Sequence, residues 1–390
     1  MTTPTGSQAD TRMCEASNNS SSSSQSSTSS DSFSELRELA NRVTALIERD
    51  PGKRGLAQWA GVGQVLPAAL SLIDAHTVAV TTGFFVLHRS AEPAAELGEA
   101  AAGHATQKET VQEVAARDAA VPGAIETDGP PGAIVLARAL TALGKDVALV
   151  VDDHAAQIMT AGIKASGGLA AAVGQAAGSM RLVALPAGDS AELRLLAREP
   201  FSHVVAVERP GRSSSGACFS MREEDISRYV AATDELFLAP ERRYTTIGIG
   251  DGGNELGLHA VSEKLGRHLH NGSRISCRTP ADLCIYAGVS NWGAYGLCAL
   301  LSAVARRPLL PQPEEIVSLL TALVEAGAVD GISRKRTATV DGLPLRHESD
   351  VVSELRELTD SFLNAGARSG EHDTGSGNRD TESDAGSRDE

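Results

Sequence analysis

The sequence predicts an α/β fold in three layers, with a mostly parallel, Rossmann-like sheet covered by helices on both faces. Short β-branched runs recur along the chain, and longer segments with helical spacing separate them. The short runs are apolar at successive positions, as is typical of strands that are buried on both faces. Regular alternation of strands and helices favours right-handed crossovers and hence a parallel sheet.

Six runs are predicted to be strands because each is short, β-branched and bounded by turn residues. In chain order they are 76–83, 146–153, 181–186, 203–210, 245–252 and 282–288. Near the end of the chain, "TATVDGLPLR" (337–346) is expected to form a further short strand or a hairpin.

The segments with apolar residues at helical spacing are predicted to be helices. They are 131–144, 190–199, 224–238, 254–267, 292–307, 313–327 and a closing amphipathic helix at 350–366. Gly144 stands where a C-cap glycine would end the first of them.

One main domain is predicted at 33–365, because a single hydrophobic core rarely grows much beyond about 250–300 residues. Residues 1–32 are rich in Ser, Thr and Asn, and residues 366–390 are polar and acidic. Neither segment has enough apolar groups to offset the entropy of ordering, so both are predicted to be disordered tails. The Ala- and Glu-rich stretch 90–120 is predicted to be a mobile insertion.

The formal net charge of -15 argues against nucleic acid as a partner, because phosphate binding requires clustered basic residues. The same acidity fits both the solvated surface of a halophilic protein and an ordinary acidic cytosolic protein. Five scattered cysteines without a C-x-x-C pair predict neither a disulfide framework nor a thiolate zinc site.

A cytoplasmic location is expected, because the N-terminus is polar and has no apolar signal segment. Residues 284–305 carry no charge, but "GVSNWGAYG" interrupts this run with glycine and polar residues. A buried strand followed by a buried helix is therefore predicted there, and no membrane association.

Polar residues follow several of the predicted strands, at the sheet edge where open parallel sheets bind their ligands. A single such loop is explained by helix capping, but several on one edge favour a binding site. The candidates are Thr82 after the first strand, Glu208, Arg209 and Arg212 after the fourth, Asp251, Asn254 and Glu255 after the fifth, and Ser290 and Asn291 after the last.

The stretch "ETDGPPGA" (126–133) precedes a predicted helix whose first turn contains Pro130 and Pro131. Asp128 is either the N-cap of this helix or a carboxylate that Gly129 and the prolines hold in the cleft. Glu126 and Asp128 point to opposite sides if the segment is extended, so they are not assigned to one ligand.

The stretch "TIGIGDGGNELG" (246–257) has the glycine spacing of a dinucleotide-binding loop. Asp251 would repel a pyrophosphate, the acid that binds a ribose is missing about 20 residues later, and no phosphate-binding G-K-[ST] is present. No nucleotide cofactor is therefore expected. Gly250, Gly252 and Gly253 instead let the backbone turn closely, so that Asp251 faces a small polar substrate or its metal.

The four acids Asp128, Glu208, Asp251 and Glu255 suit proton transfer or the binding of an ammonium group or a cation. Oxygen-only ligands favour Mg²⁺ or Mn²⁺, with Asp128 and Asp251 as the candidate metal ligands. A basic set can hold substrate carboxylates by bidentate bonds, or can form a solvated face. Its members are Arg209, Arg212, Arg222 and Arg278.

Five stretches resemble, in the same order, the C-terminal domain of the D-glutamate cyclase family. They are "ETDGPPGAIVLARAL", "VERPGR", "TIGIGDGGNELG", "AGVSNWGAYGL" and "TVDGLPL". The resemblance spans about residues 35–365 and implies an intramolecular dehydration of D-glutamate to 5-oxo-D-proline. A hydro-lyase-like N-terminal domain that occurs in this family has no counterpart in the sequence. The matched positions are Asp128, Gly129, Glu208, Arg212, Gly250, Asp251, Gly252, Asn254, Glu255, Ser290 and Asn291.

For that reaction, Asp251 or Asp128 is expected to act as base or metal ligand, with assistance from Glu255. Arg212 or Arg209 would hold a carboxylate, and Asn291 would stabilise an oxyanion. Two alternatives remain open. One is a lyase or hydrolase acting on another small amino or hydroxy acid, and the other is a non-catalytic metabolite-binding partner of a separate hydro-lyase-like protein. A homo-oligomer is also compatible with the sequence.

Overall fold

The computed structural model describes residues 24–52, 63–88, 122–167, 178–268 and 270–372. The predicted mobile insertion at 90–120 lies outside these residues, as do most of the two predicted tails. The first helix begins at Ser24 and the last ends at His372, so both extend into segments predicted to be tails. The later turns of the first helix are anchored in the core by the buried side chains of Leu39, Val43 and Ile47. Once a helix is anchored in this way, adding further turns costs little free energy, because the helix is already nucleated.

The strands of the described residues follow the predicted β-branched runs, the hairpin predicted at 337–346 is observed, and one further antiparallel pair is present. They are β1 (Thr77–Thr82), β2 (Phe85–Leu87), β3 (Gly123–Ile125), β4 (Asp146–Asp152), β5 (Met180–Leu185), β6 (His203–Val207), β7 (Thr245–Gly250), β8 (Leu283–Tyr286), β9 (Thr339–Val340) and β10 (Leu343–Pro344).

The helices of the described residues cover both faces of the sheet and pack its ends. They are α1 (Ser24–Ile47), α2 (Val65–Ile73), α3 (Pro130–Ala142), α4 (Ala156–Ala165), α5 (Ala191–Leu196), α6 (Asp234–Leu238), α7 (His259–His268), α8 (Gly272–Ile275), α9 (Ser290–Val304), α10 (Pro313–Ala326) and α11 (Arg346–His372).

The main sheet has six parallel strands in the order β5-β4-β1-β6-β7-β8. From β1 the sheet continues with β4 and β5 on one side and with β6, β7 and β8 on the other. This is the strand order of a doubly wound Rossmann sheet. The predicted three-layer α/β fold is therefore confirmed. The order reverses between β1 and β6, and a crevice opens at the carboxyl ends of strands at such a switch point.

Two apolar clusters sandwich the sheet, because successive strand residues point to opposite faces. Val78 and Val80 of β1 face the larger cluster, which contains α1, α3, α9 and α10, whereas Ala79 faces the smaller one around α5 and α6. Burial on both faces accounts for the continuous apolar runs of these strands.

The predicted helix at 224–238 is wrong over most of its length. The segment forms a 3₁₀ turn at Ser227–Tyr229, then extended backbone, and is helical only in α6. The buried Asp152 accepts a hydrogen bond of 2.7 Å from the backbone N–H of Ala231, and this contact holds the chain extended where the apolar spacing favours a helix. The sequence prediction also omitted α1, α2, α4, α8 and the antiparallel pair β2–β3.

None of the described helices is both long and apolar enough to cross a membrane. The predicted strand and helix within 284–305 are observed as the end of β8 and the buried helix α9.

Candidate active site

A cavity of about 240 Å³ lies at the carboxyl edge of the sheet, next to the ends of β6 and β7. Its walls combine acidic side chains with apolar ones. The residues that line it are Phe84, Phe85, Val86, Glu126, Glu208, Ser220, Met221, Arg222, Glu224, Asp251, Asn254, Glu255, Gly331, Ile332 and Asp341. Four residues predicted to form the site are thus brought together here: Glu208, Asp251, Asn254 and Glu255.

The glycine-rich loop after β7 is folded around the carboxylate of Glu255. This carboxylate accepts hydrogen bonds from the backbone N–H groups of Gly252 (2.9 Å) and Gly253 (2.6 Å). A Cβ atom on Gly250 would lie 2.7 Å from one oxygen of Glu255, and a Cβ on Gly252 would lie 2.8 Å from the other. The glycines therefore make room for a carboxylate of the same loop, in the position that a pyrophosphate takes in a dinucleotide-binding loop.

Asn254 lines the cavity with one half of its amide unused. Its Nδ2 atom donates a hydrogen bond of 2.8 Å to the carbonyl oxygen of Phe219. Its Oδ1 atom is buried and has no hydrogen-bond partner among the described residues. Buried acceptors without a partner are rare in proteins, so this oxygen is available to a ligand.

Glu208 and Gly129 meet where β1, β6 and the start of α3 converge. Glu208 adopts a left-handed backbone conformation with φ of 43°, which non-glycine residues rarely adopt. Its carboxylate accepts a hydrogen bond of 2.5 Å from Oγ of Ser290. Gly129 has φ of 95°, and a Cβ there would lie 2.6 Å from Cβ of Glu208 and 2.8 Å from Oγ1 of Thr82. Gly129 is thus required for the close approach of these loops.

Asp128 and Asn291 hold the N-termini of α9 and α3 together. The carboxylate of Asp128 accepts hydrogen bonds from the N–H groups of Ser290 (2.9 Å) and Asn291 (2.8 Å), which begin α9. In return, Oδ1 of Asn291 accepts from the N–H groups of Gly129 (3.0 Å) and Gly132 (2.9 Å) at the start of α3. Asp128 therefore caps α9, and its interpretation as the N-cap of the helix that follows it is wrong, because Gly129 is the N-cap of α3.

Arg209 and Arg212, two of the arginines predicted to hold a substrate carboxylate, do not line the cavity. Arg209 is fully buried and pairs with Asp152 at 2.5 and 2.8 Å. Its other donors bind Oγ1 of Thr233 and the carbonyl oxygens of Thr82, Gly83 and Ala231, which uses all the N–H groups of a guanidinium. Arg212 pairs with Glu235 at 2.6 Å.

Arg222 carries the one basic side chain among the described residues that line the cavity. It donates hydrogen bonds to the carbonyl oxygens of Gly331 (3.1 Å) and Ile332 (2.7 Å), which position its guanidinium at the wall. The sequence placed Arg222 in the basic set but gave no reason to prefer it to the other arginines.

Asp341 and Glu126 are further site residues that the prediction did not include. Asp341 lies in the turn between β9 and β10, with φ of 52°, and reaches the cavity from a part of the chain about 90 residues after Asp251. A signal existed, since the stretch "TVDGLPL" contains Asp341 and belongs to the stretches on which the family resemblance depends.

The carboxylates at the cavity form two groups that share Asp251. One group is Asp128, Asp251 and Asp341, and the other is Glu208, Asp251 and Glu255. In each group, one oxygen per residue lies within 4.8 Å of the others. Both residues predicted to be metal ligands, Asp128 and Asp251, belong to the first group.

Comparison with known proteins places this fold and site in a family. The family model described as "D-glutamate cyclase-like, C-terminal" matches residues 43–356, which is most of the chain. The chain belongs to the D-glutamate cyclase-like, C-terminal family. It is 31% identical over 360 residues to the human protein "D-glutamate cyclase, mitochondrial". That alignment covers 83% of this chain and 52% of the human protein, so the chain spans about half the length of this relative.

In this D-glutamate cyclase-like domain, three carboxyl groups at the site have perturbed acidity. Burial is the largest cause that raises the pKa of Glu126, Asp128 and Glu208 well above the ordinary values, and repulsion from the neighbouring carboxylates raises each pKa further. Such groups hold protons at a pH at which exposed carboxyl groups are ionised. They are therefore candidate proton donors.

Proposed function

We propose that this chain catalyses the intramolecular dehydration of a small amino dicarboxylic acid, with D-glutamate converted to 5-oxo-D-proline. The observation that carries the proposal is the meeting of Glu208, Asp251 and Glu255 with Arg222 around one small cavity. A volume of about 240 Å³ lies below the roughly 300–1,000 Å³ of pockets for drug-sized ligands, so it suits a small metabolite. Membership of the family supports the same reaction.

The reaction forms a bond between the α-nitrogen and the carbon of the γ-carboxyl group and breaks one C–O bond of that group. The ammonium group loses two protons, and the departing oxygen gains two protons and leaves as water. The protein must therefore accept protons at nitrogen and supply protons at oxygen. It must also hold the chain of the substrate in a folded conformation, which brings the reacting atoms together.

The cavity suggests a residue for each of these tasks. Arg222 binds the α-carboxylate of the substrate, a role that the sequence had assigned to Arg212 or Arg209. Glu126, which lines the cavity and whose pKa is raised, supplies a proton to the departing oxygen and takes up a proton from the ammonium group. Asn291 does not line the cavity and acts instead as the cap that fixes α3 and α9.

The purified protein should produce 5-oxoproline from D-glutamate, measured by chromatography with and without Mg²⁺ or Mn²⁺. L-glutamate and D-aspartate serve as comparison substrates. An absence of product at high enzyme concentration would exclude this activity. Stabilisation by D-glutamate without turnover would favour the metabolite-binding alternative, and turnover of another small acid would favour the alternative lyase or hydrolase.

Replacement of Arg222 provides a test of the proposed substrate contact. Arg222→Met should raise the KM for D-glutamate at least about tenfold, since a hydrogen bond to a charged group contributes on the order of 1.5–3 kcal/mol. Arg274→Met is the matched control, because Arg274 pairs with Glu223 of the same loop and does not line the cavity. Equal effects of the two substitutions on KM would contradict the role of Arg222.

A further inference from the structure

We propose that the cavity binds two divalent cations, Mg²⁺ or Mn²⁺, with Asp251 as the carboxylate that bridges them. One cation would be held by Asp128, Asp251 and Asp341, and the other by Glu208, Asp251 and Glu255. The binding of cations can be measured without turnover, so a failure of this inference and a failure of the proposed reaction are distinguishable.

The distances within the two groups fit coordination by an octahedral cation. Mg²⁺ binds oxygen at about 2.0–2.1 Å, so ligands on opposite sides of the ion lie roughly 4.2 Å apart. The oxygens of each group lie within 4.8 Å of one another, and small changes in side-chain torsion would bring them to that separation. All of these ligands are carboxylate oxygens, a set that favours Mg²⁺ or Mn²⁺ over softer metals.

The charge at the site favours two cations over one. The two groups together comprise five carboxylates, and four of them, Asp128, Glu208, Asp251 and Glu255, are almost completely buried. If all five carboxylates are ionised, one divalent cation leaves three negative charges uncompensated. Two divalent cations leave only one. Pairs of divalent cations about 3.5–4 Å apart that share a carboxylate are common in enzymes that act on oxygen leaving groups.

Hydrogen bonds already orient most of the candidate ligands. Backbone N–H groups hold Glu255 and Asp128, and the hydroxyl of Ser290 holds Glu208. Donors of this kind fix the direction of the carboxylates, as outer-shell partners do in metal sites.

An independent observation also indicates a ligand at this site. Oδ1 of Asn254 is buried, lines the same cavity and has no hydrogen-bond partner among the described residues. Asn254 is only 1% exposed, so bulk water does not satisfy this oxygen. An amide oxygen beside Asp251 and Glu255 is suited to bind a cation or a water molecule coordinated to it.

Cation stoichiometry in four variants tests the inference. Titration of the metal-free protein with MnCl₂, followed by calorimetry, should give two sites in the wild type. Asp341→Asn and Glu208→Gln should each leave one site, and Asp251→Asn should leave neither within the same concentration range. Glu126→Gln is the matched control and should keep two sites, because Glu126 lines the cavity but belongs to neither group.

Electron paramagnetic resonance provides a second measurement. Two bridged Mn²⁺ ions should give a spin-coupled spectrum at full loading, and Asp341→Asn should give the six-line spectrum of an isolated ion. Circular dichroism of each variant shows whether it is folded. A folded wild type that binds one Mn²⁺ or none, or a folded Asp251→Asn variant that still binds two, would overturn the inference.

Discussion

Gly129 is the residue whose lack of a side chain most directly shapes the site. Its φ of 95° disfavours any other residue, and an added Cβ would contact Glu208 and Thr82 at distances that require a shift. Gly129→Ala should lower the free energy of unfolding by at least about 3 kcal/mol, the sum of left-handed strain and overpacking. Urea unfolding monitored by circular dichroism measures this change.

Gly188→Ala is the matched control for this prediction. Gly188 has a similar φ of 77°, but an added Cβ would meet no atom within 4 Å. The control should therefore show only the strain, about 1–2 kcal/mol. If both substitutions had the same cost, the close packing at Gly129 would have no energetic importance.

Glu348 predicts a specific pH dependence of stability. It is buried beside α9 and accepts hydrogen bonds from Nε1 of Trp292 (2.6 Å) and the hydroxyl of Tyr295 (3.2 Å). Burial raises its pKa from 4.5 to about 7. The folded state therefore binds its proton more tightly than the unfolded state, and the resulting stabilisation is complete below pH 4.5 and is lost as the pH rises through 7.

Glu348→Gln should remove this contribution, because the amide resembles the protonated acid. At pH 8 the variant should be more stable than the wild type by about 1–3 kcal/mol, and near pH 5 the two should be similar. Urea unfolding at several pH values measures the difference. Glu354→Gln on the same helix is the control: Glu354 pairs with the exposed Arg49, which lowers its pKa, so its effect should not vary between pH 5 and 8.

Some site residues could be predicted from the sequence because they directly follow strands. Asp251, Asn254 and Glu255 stand immediately after β7, and the end of a strand fixes their position within a few ångströms. Asp341 could not be found in this way, since a separate hairpin brings it to the cavity. The pairing of Arg209 with Asp152 could not be predicted either, and without it the arginine looked available for a substrate.

At the scale of secondary-structure elements, α3 and α9 depend on each other's first residues. Asn291→Ala would remove the acceptor for the N–H groups of Gly129 and Gly132 and the donor to the carbonyl oxygen of Thr127. The N–H of Gly129 would keep its hydrogen bond of 2.9 Å to Oδ1 of Asp128, but the buried N–H of Gly132 and the carbonyl oxygen of Thr127 would each lose a partner, at a cost of about 1–3 kcal/mol. The free energy of unfolding should therefore fall by at least about 2 kcal/mol, as measured by chemical denaturation.

An ordinary helix cap gives the comparison for Asn291. Ser190 begins α5, and its Oγ atom accepts one hydrogen bond of 3.0 Å from the N–H of Leu193 in a partly exposed position. Ser190→Ala should cost about 1 kcal/mol. A similar loss for Asn291→Ala would mean that the two helix N-termini are not held together by this side chain.

The elements that the sequence predicted well are those whose burial is uniform. The six strands of the main sheet are buried on both faces, so their composition alone identifies them. The segment 224–238 has helical spacing, but Asp152 binds the backbone of Ala231 from a strand about 80 residues earlier. Local periodicity cannot report a contact at that separation, and the tertiary hydrogen bond prevails over the weak helical propensity.

At the scale of the whole molecule, the order of the strands determines where the site forms. The strand order extends from β1 to one edge of the sheet and from β6 to the other edge. A crevice therefore lies between the loops that follow β1 and β6. The sequence predicts a parallel sheet, because strands and helices alternate, but it does not specify which strands are neighbours. Hydrogen bonding between β1 and β6 brings Thr82 and Glu208 together, although 126 residues separate them along the chain.

The acidity of the molecule should make its stability depend on salt. A formal net charge of -15 implies repulsion between surface carboxylates, which ions screen over about 10 Å at 0.1 M salt. The midpoint of thermal unfolding should therefore rise by about 2–6 °C between low salt and 1 M NaCl, as a gain of 1–2 kcal/mol would produce. A halophilic protein would show a larger effect, and would unfold in low salt at ambient temperature.

A variant with three fewer acidic charges separates repulsion from other effects of salt. Glu192, Glu241 and Glu325 are exposed and form no ion pair among the described residues. Their replacement by Gln should raise the midpoint in low salt and reduce the increase caused by NaCl, because the repulsion that salt screens is already smaller. If the increase stayed the same, NaCl would be acting through the hydration of apolar surface, and the acidic excess would not limit stability.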